Sequence, residues 1–370
     1  MRVVMFEGPE HQLLWRGLGT RPVKPSAPTS HGPPWDSPAL FIAKTPLIGL
    51  VDYVNTYVIK ADDEDVVIDA GPDLFLSIMA LRENMKRLNV RLNRSLFIVT
   101  HAHRDHVGAT RKLAATSKVY IGHNELRMLT SSEDRAREVL AFAVENGFPE
   151  CLAKSVVRLT LATRFKDAPE LVPLRDGEVL ELGHYKLKCV ETPGHTQGHI
   201  CLYDQDRGIL FSGDHVLRDI TPNISSWSYE EDALSAYLIS LKRLCELDLA
   251  IVLPGHGRPL KGLKRRVREL VNHHEERLLQ IIKILKAQSG DAYWISSKVR
   301  WKTRHPSWWR TSIFYRWLAF GEALAHLNFL VKLGLVDRKL VRGKAIYQVV
   351  SDNAVEVVKK VIASFFFATL

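Results

Sequence analysis

The chain has 370 residues, 46% hydrophobic and 25% charged, an ordinary balance for a globular protein and enough for two domains with a large core. Its net charge of +10 is uneven: Lys261 to Leu370 hold 21 basic and 8 acidic residues, a net of +13, which leaves −3 on the first 260. A disulfide framework and a membrane span are excluded, because the four cysteines (Cys151, Cys189, Cys201, Cys245) are scattered and no apolar run nears ~18–20 residues.

Residues 1–39 hold seven of the seventeen prolines and lack periodicity, which predicts an irregular extension. Its start is broken by Glu7, Gly8 and Pro9, so no signal-peptide core is expected, and with reduced thiols this predicts a cytoplasmic protein. From Leu40 the pattern changes. Tyr57–Ile59 and Val66–Ile68 read as strands, Leu74–Leu88 as a helix, and Leu96–Thr100 and Lys118–Ile121 as further strands. Strand and helix alternate, so a layered α/β architecture is expected. Residues 124–170 are helical in character, clearest from Glu133 to Asn146, and read as an insertion that is either a substrate wall or purely structural. Strands follow at Val179–Leu182, Tyr185–Val190, His199–Tyr203 and Ile209–Ser212, then a helix at Tyr229–Leu247 and a strand at Leu249–Leu253.

Beyond residue 262 the spacing predicts helices over Arg265–Lys286, Ala292–Val299 and Ser312–Leu333. A hairpin turns at Arg342-Gly343, and a last helix starts at Asn353 and ends in Phe365-Phe366-Phe367, which reads as packed. Three helices and a two-stranded wing are the order of a winged-helix domain. The loop Arg300–Arg310 is basic and aromatic. The expected domains are therefore 1–39, 40–262 with the insertion at 124–170, and the basic 263–370.

Candidate chemistry sits where strands end. Thr100–Val107 reads T-H-A-H-R-D-H-V and offers His101, His103, Asp105 and His106. His101 and His103 are two apart, so in extended backbone they project to one side and suit one metal ion; Asp105 and His106 suit a second. Neither pair is complete, since a catalytic zinc wants three protein ligands and an open position. Three later strand ends offer more: His195 in Thr192–Thr196, Asp214 and His215 in Phe211–His215, and His256 in Leu253–Gly257. Each carries a glycine before its polar residue, which lets the backbone turn sharply. His199 reads as a core residue of its strand. His123, His184, His273 and His274 have no ligand context, and Asp219–Asn223 reads equally as pocket lining or plain loop.

The H-x-H-x-D-H run with His195, Asp214 and His256 resembles the metallo-β-lactamase-fold hydrolases over roughly residues 40–262. The resemblance implies an αββα sandwich, classed α/β (α+β by some schemes), with the C-terminal winged helix appended. It implies that His101, His103 and His195 hold one divalent ion, that Asp105, His106 and His256 hold the other, and that Asp214 bridges. It also implies a hydroxide shared by the ions as nucleophile, with Asp105 and Asp214 as the catalytic carboxylates. Asp69, in Asp69-Ala70-Gly71, matches a position that supports the site, and His215 is a second supporting candidate. Zinc is the expected metal, while histidine and carboxylate also suit manganese and iron.

Substrate is open at this level, because one fold hosts many activities. An ester or thioester hydrolase similar to glyoxalase II, acting on a small anionic acyl carrier, is the first expectation. The alternative is a single-strand endoribonuclease that grips RNA through Trp301, Trp308, Trp309, Lys302, Arg304 and Arg310. A winged-helix DNA reader carrying a decayed hydrolase is disfavoured by the complete ligand set. No membrane partner is expected, and the oligomeric state is left open.

Overall fold

The computed structural model describes residues 4–6, 40–47, 51–61, 64–114, 116–130, 132–161, 170–302 and 307–366. Seven strands form a first sheet in chain order: β1 (Val4–Phe6), β2 (Leu40–Pro46), β3 (Tyr53–Ile59), β4 (Val66–Ile68), β5 (Leu96–Val99), β6 (Val119–Gly122) and β7 (Leu171–Leu174). β2, β3 and β4 pair antiparallel, while β4 to β7 pair in parallel. The second sheet comprises β8 (Val179–Leu182), β9 (Tyr185–Glu191), β10 (Ile200–Asp204), β11 (Ile209–Gly213) and β12 (Ile251–Pro254), ordered β12-β11-β10-β9-β8.

Strand periodicity explains the layers. In β3, β4 and β5, successive side chains point to opposite faces. Ile59, Ile68 and Ile98 face inward with Leu187, Leu202, Phe211 and Leu253 of the second sheet. Tyr57 meets Phe211 edge-on across the interface, ring centroids 5.2 Å apart. The alternate residues Val58, Val67 and Phe97 face outward and are covered by Ile78, Leu81 and Met85 of helix α1 (Phe75–Arg87). The second sheet is covered by helix α7 (Ala233–Leu244), started by Asp232, whose side chain accepts from Ser235 N. The result is the αββα sandwich.

Between α1 and α7 lie α2 (Arg104–Val107), α3 (Thr110–Leu113), α4 (His123–Thr130), α5 (Ser132–Glu145) and α6 (Glu150–Leu161). The segment after residue 262 supplies α8 (Leu263–Ala287), α9 (Ala292–Lys298), α10 (Ile313–Lys332), the hairpin β13 (Val336–Val341) and β14 (Lys344–Val349), and α11 (Ala354–Phe366). Its apolar faces do not close on themselves. One continuous core runs from Val139, Phe142 and Phe148 through Leu234 and Leu241 to Leu278, Phe320, Leu327 and Val358. The insertion is built into this core: Phe148 packs against Tyr293 and Trp317, and Tyr347 donates to Asn146 Oδ1 at 2.7 Å.

Three differences from the sequence reading stand out. Val4–Phe6, inside the proline-rich stretch, pairs in parallel with Phe41–Ala43; residues 7–39 lie outside the described residues. β2 and β7 are also absent from the sequence reading, which places its first strand at Tyr57 and takes 124–170 as helical. In the basic loop, Trp301 lies over Arg277 at 3.9 Å and donates to Ser296 O, and Trp308 packs on the shared core. Trp309 is exposed, while Arg304 lies outside the described residues. Phe365 packs on the core, and Phe367 lies outside the described residues.

Candidate metal centre

Every ligand motif leaves the carboxyl end of a strand. β5 delivers His101 and His103, and α2 turns Asp105 and His106 back toward the strand end. β9, β11 and β12 lead to His195, Asp214 and His256. β11 and β12 run parallel, so their ends meet, and Gly255 N donates to Gly213 O at 2.7 Å. Gly255 has no substitute here: a Cβ would lie 2.6 Å from Asp214 Oδ1 and 2.7 Å from His106 Cε1.

The structure brings all seven sequence-predicted donors together. Nε2 of His101 and Nε2 of His195 lie 2.9 and 3.0 Å from Nδ1 of His103. Nε2 of His106 and His256 are 3.3 Å apart, and Asp105 Oδ2 is 3.3 Å from His256 Nε2. Asp214 stands between the two groups, its carboxylate 3.6 Å from His106, 3.6 Å from His195 and 3.5 Å from His256. Three clusters have donor atoms close enough to share an ion: His101, His103 and His195; His101, His106 and Asp214; Asp105, His106 and His256. The centre reaches solvent through His103 and Asp105.

The outward ring nitrogens are committed elsewhere, which fixes the tautomers. His195 Nδ1–H donates to Asn223 O and His256 Nδ1–H to Tyr53 O, each at 2.8 Å. His106 Nδ1–H donates to Asp69 Oδ2 at 2.8 Å. Thr100 Oγ1 gives its own proton to Asp69 Oδ2, so it accepts from His101 Nδ1 at 3.1 Å. The inward Nε2 atoms of these four rings therefore turn lone pairs toward the centre, those of His106 and His256 toward each other and those of His101 and His195 toward His103 Nδ1, an arrangement that suits a cation. Asp214 Oδ1 is buried with no hydrogen-bond partner among the described residues, another donor in need of a cation. The donor set thus fits divalent metal ions.

Charge follows the same logic. Burial, reinforced by the charge of His106, holds His101 well below its ordinary value, and burial also lowers His195. Burial pulls His106 and His256 down as well, but carboxylates outweigh it. Asp69, Asp214 and Asp105 raise His106 well above its usual range, and Asp214 with Asp105 lifts His256 to about 10. Burial resists ionisation of Asp105 and Asp214, yet the neighbouring histidines hold both below the usual carboxylate range. The upward shifts of His106 and His256 mark the positive charge that the surrounding carboxylates favour at this end of the centre.

Several braces lie around the donors. Asp69, buried and held at φ 57°, accepts from Thr100 N and Thr100 Oγ1, each at 2.9 Å, besides His106. His199, read from sequence as a core residue, does more: its Nε2 accepts from Asp214 N at 3.2 Å while Nδ1–H donates to Thr192 Oγ1. His215 is buried between His199 and Tyr237, and neither ring nitrogen has a hydrogen-bond partner among the described residues. Sequence reasoning missed Glu125, which accepts from Ala102 N, Gly198 N and Thr196 Oγ1 and so ties the His103 loop to the His195 loop. It also missed Asn55, whose amide holds Pro254 O and Gly257 O around His256. No local motif marks either residue, because their partners are 23 to 202 positions away.

The C-terminal segment reaches this site. Asn223, whose carbonyl holds His195, donates through Nδ2 to Leu318 O at 3.2 Å and Glu322 Oε2 at 3.3 Å. Glu322 in turn faces Arg277 at 3.4 Å and His273 at 3.6 Å. Trp227 stacks on Trp317 with centroids 4.4 Å apart. Gly321 permits that approach: a Cβ there would lie 2.7 Å from Ser225 Oγ.

Two facing sheets with five histidines and two aspartates gathered at their strand ends define a class, the metal-dependent hydrolases of the metallo-β-lactamase fold. The family model of the metallo-beta-lactamase superfamily matches residues 49–256, and the chain belongs to that superfamily. It is 31% identical over 212 residues to the acyl-coenzyme A thioesterase MBLAC2 of Bos taurus, covering 55% of this chain and 72% of that one. It is 26% identical over 289 residues to the probable metallo-hydrolase YqjP of Bacillus subtilis, covering 75% and 87% respectively. A metallo-beta-lactamase family protein from Thermus thermophilus superposes with a TM-score of 0.72 at 27% identity, over 84% of this chain and 98% of its own. The chain is a hydrolase of this superfamily, and no helix among the described residues is long and apolar enough to cross a membrane.

Proposed function

We propose that the protein is a dinuclear metal-dependent thioesterase of small acyl carriers. The observation that carries the reading is the seven-donor centre, open through His103 and Asp105; the relative named as an acyl-coenzyme A thioesterase supports the choice of bond. His101, His103 and His195 would hold one ion, Asp105, His106 and His256 the other, and Asp214 would lie between them, with zinc the metal. Bound divalent ions supply Lewis acidity, lowering the pKa of water and polarising a carbonyl. Asp105, held ionised and partly exposed, orients the attacking water and takes its proton. The water oxygen bonds to the acyl carbon, the C–S bond breaks, and a carboxylate and a thiol leave. The thiolate is a good leaving group, so no strong general acid is required.

We read residues 263–370 as a winged-helix module that walls the pocket and braces His195 through Glu322 and Asn223. The inward packing of Trp301 and Trp308 favours this role over RNA binding. Four free cysteines suit the cytoplasm. Metal analysis of the purified protein should approach two equivalents, and His103→Ala should lose metal and thioester hydrolysis together. Full activity in that variant, or faster turnover of single-stranded RNA than of any thioester by the wild type, would overturn the proposal.

A further inference from the structure

A cleft of about 580 Å³ opens beside the His256 loop, along the β12 edge of the second sheet. β12 is the edge strand. After His256 the chain doubles back, and Leu260 pairs antiparallel with Val252. The inner end of the cleft touches the metal loop itself: Asp219, five residues past Asp214, lies 3.1 Å from where a Cβ of Gly257 would be. The outer end is Ile251, five residues before His256, or roughly 16 Å away along an extended strand.

The cleft joins two kinds of surface. Ile251, Pro259 and Leu260 give an apolar floor, while Arg218, Arg258, Lys261, Arg265 and Arg266 line the rim. Asp219 and Glu269 offset two of these five cations. Three of the arginines are fixed in place. Arg266, only 15% exposed, donates to Leu217 O and Ile220 O and pairs with Glu269, each at 2.8 Å. Arg218 donates to Pro259 O at 2.9 Å, and Arg258 pairs with Asp219 at 2.9 Å. Carbonyls hold Arg218 and part of Arg266, carboxylates hold Arg258 and the rest of Arg266, and five cations against two carboxylates leave the ordered rim net cationic. Arg265, 83% exposed and 4.0 Å from Glu269 at its nearest, is placed to swing toward an incoming anion.

We propose that this cleft binds the phosphate groups of a phosphorylated acyl carrier, with the carrier's flat base over the apolar floor and its thioester at the metal centre. The inference rests on the thioesterase reading and names its substrate class. Arginine forks suit phosphate oxygens, and a span of roughly 16 Å lets one extended carrier reach both ends. It also gives part of the C-terminal basic charge a purpose, since Lys261, Arg265 and Arg266 belong to that segment.

The test pairs a binding probe with a substrate comparison. Adenosine 3′,5′-bisphosphate is titrated into the full-length protein by calorimetry. Hydrolysis of octanoyl-coenzyme A is compared with that of the octanoyl thioester of N-acetylcysteamine, which lacks phosphate. The wild type should bind the bisphosphate, more weakly as salt rises, and prefer the coenzyme A ester. The double variant Lys261→Glu/Arg265→Glu should lower that preference and weaken bisphosphate binding about 10-fold or more. New acidic residues near the start of α8 favour the helix dipole, and a melting curve checks folding. The charge control Lys359→Glu/Lys360→Glu on α11 should leave the preference as it is. Hydrolysis of the N-acetylcysteamine ester without bisphosphate binding would overturn the inference and leave the thioesterase reading standing. An unchanged preference in the cleft variant, or tighter binding of a ribo-oligonucleotide than of the bisphosphate, would also overturn it. Cleavage of neither ester would remove the thioesterase reading and the carrier together.

Discussion

Asp69→Asn isolates what the braces contribute, because it changes charge and hydrogen bonding with little change in shape. The Asp69 carboxylate meets three donors with two oxygens: Thr100 N on Oδ1, and Thr100 Oγ1 with His106 Nδ1 on Oδ2. Asparagine tolerates the left-handed backbone at φ 57°. Its amide, however, offers one acceptor and one donor group. Kept on Thr100 N, the carbonyl leaves an NH2 pointing at His106 Nδ1–H. His106 then either loses the bond or shifts its proton to Nε2, the nitrogen that faces the metal centre. Loss of such a support costs 10–100-fold in metal affinity, or about 1.4–2.7 kcal/mol. Folding stability should fall by a comparable ~1–3 kcal/mol for a buried group left unpaired. Competition with a chromophoric chelator measures the first and denaturant unfolding of the metal-free protein the second. Metal affinity within twofold of wild type would refute the argument that Asp69 sets the tautomer of His106.

Other consequences follow from the same geometry. Gly255→Ala should cut activity and metal content more than about 10-fold while far-UV circular dichroism stays native, since its Cβ meets only Asp214 and His106 within 3 Å. Glu322→Ala strands the buried Arg277 and frees Asn223, so it should destabilise by about 3–5 kcal/mol, and Glu322→Gln by less; chemical denaturation decides. Burial pushes His326, which sits in the C-terminal core, down to about 3. Its unfolded form protonates near pH 6.5, so the unfolded chain holds the extra proton below that, and stability should fall with pH between about 6.5 and 3. His326→Leu should flatten that fall by about 1.4 kcal/mol per pH unit, and an identical slope would count against the assignment. Chelator should abolish thioester hydrolysis, and added zinc should restore it.

What could be read from sequence was whatever is encoded locally. The short apolar runs of β3 to β5 and β9 to β11, the helical spacing of α1, α8 and α10, and the hairpin at Arg342-Gly343 all arise from neighbours within a few residues. The ligand motifs share that property: a short stretch supplies His101 to His106, and each later donor follows a glycine at a strand end. The supporting residues do not. Glu125 acts on Gly198, Asn55 on Gly257 and Glu322 on Asn223, pairs that meet only after both sheets and the C-terminal helices have packed.

The sequence by itself determined which atoms can take a metal and which segments are strands or helices, because those depend on side-chain chemistry and local period. Only the tertiary structure decided that the C-terminal segment shares one core with the insertion and holds His195 from behind, and that a cationic cleft lies beside His256. The reason is distance along the chain. Arg218 and Arg265 are 47 residues apart in sequence yet line one rim, and no periodicity of either segment records that they meet.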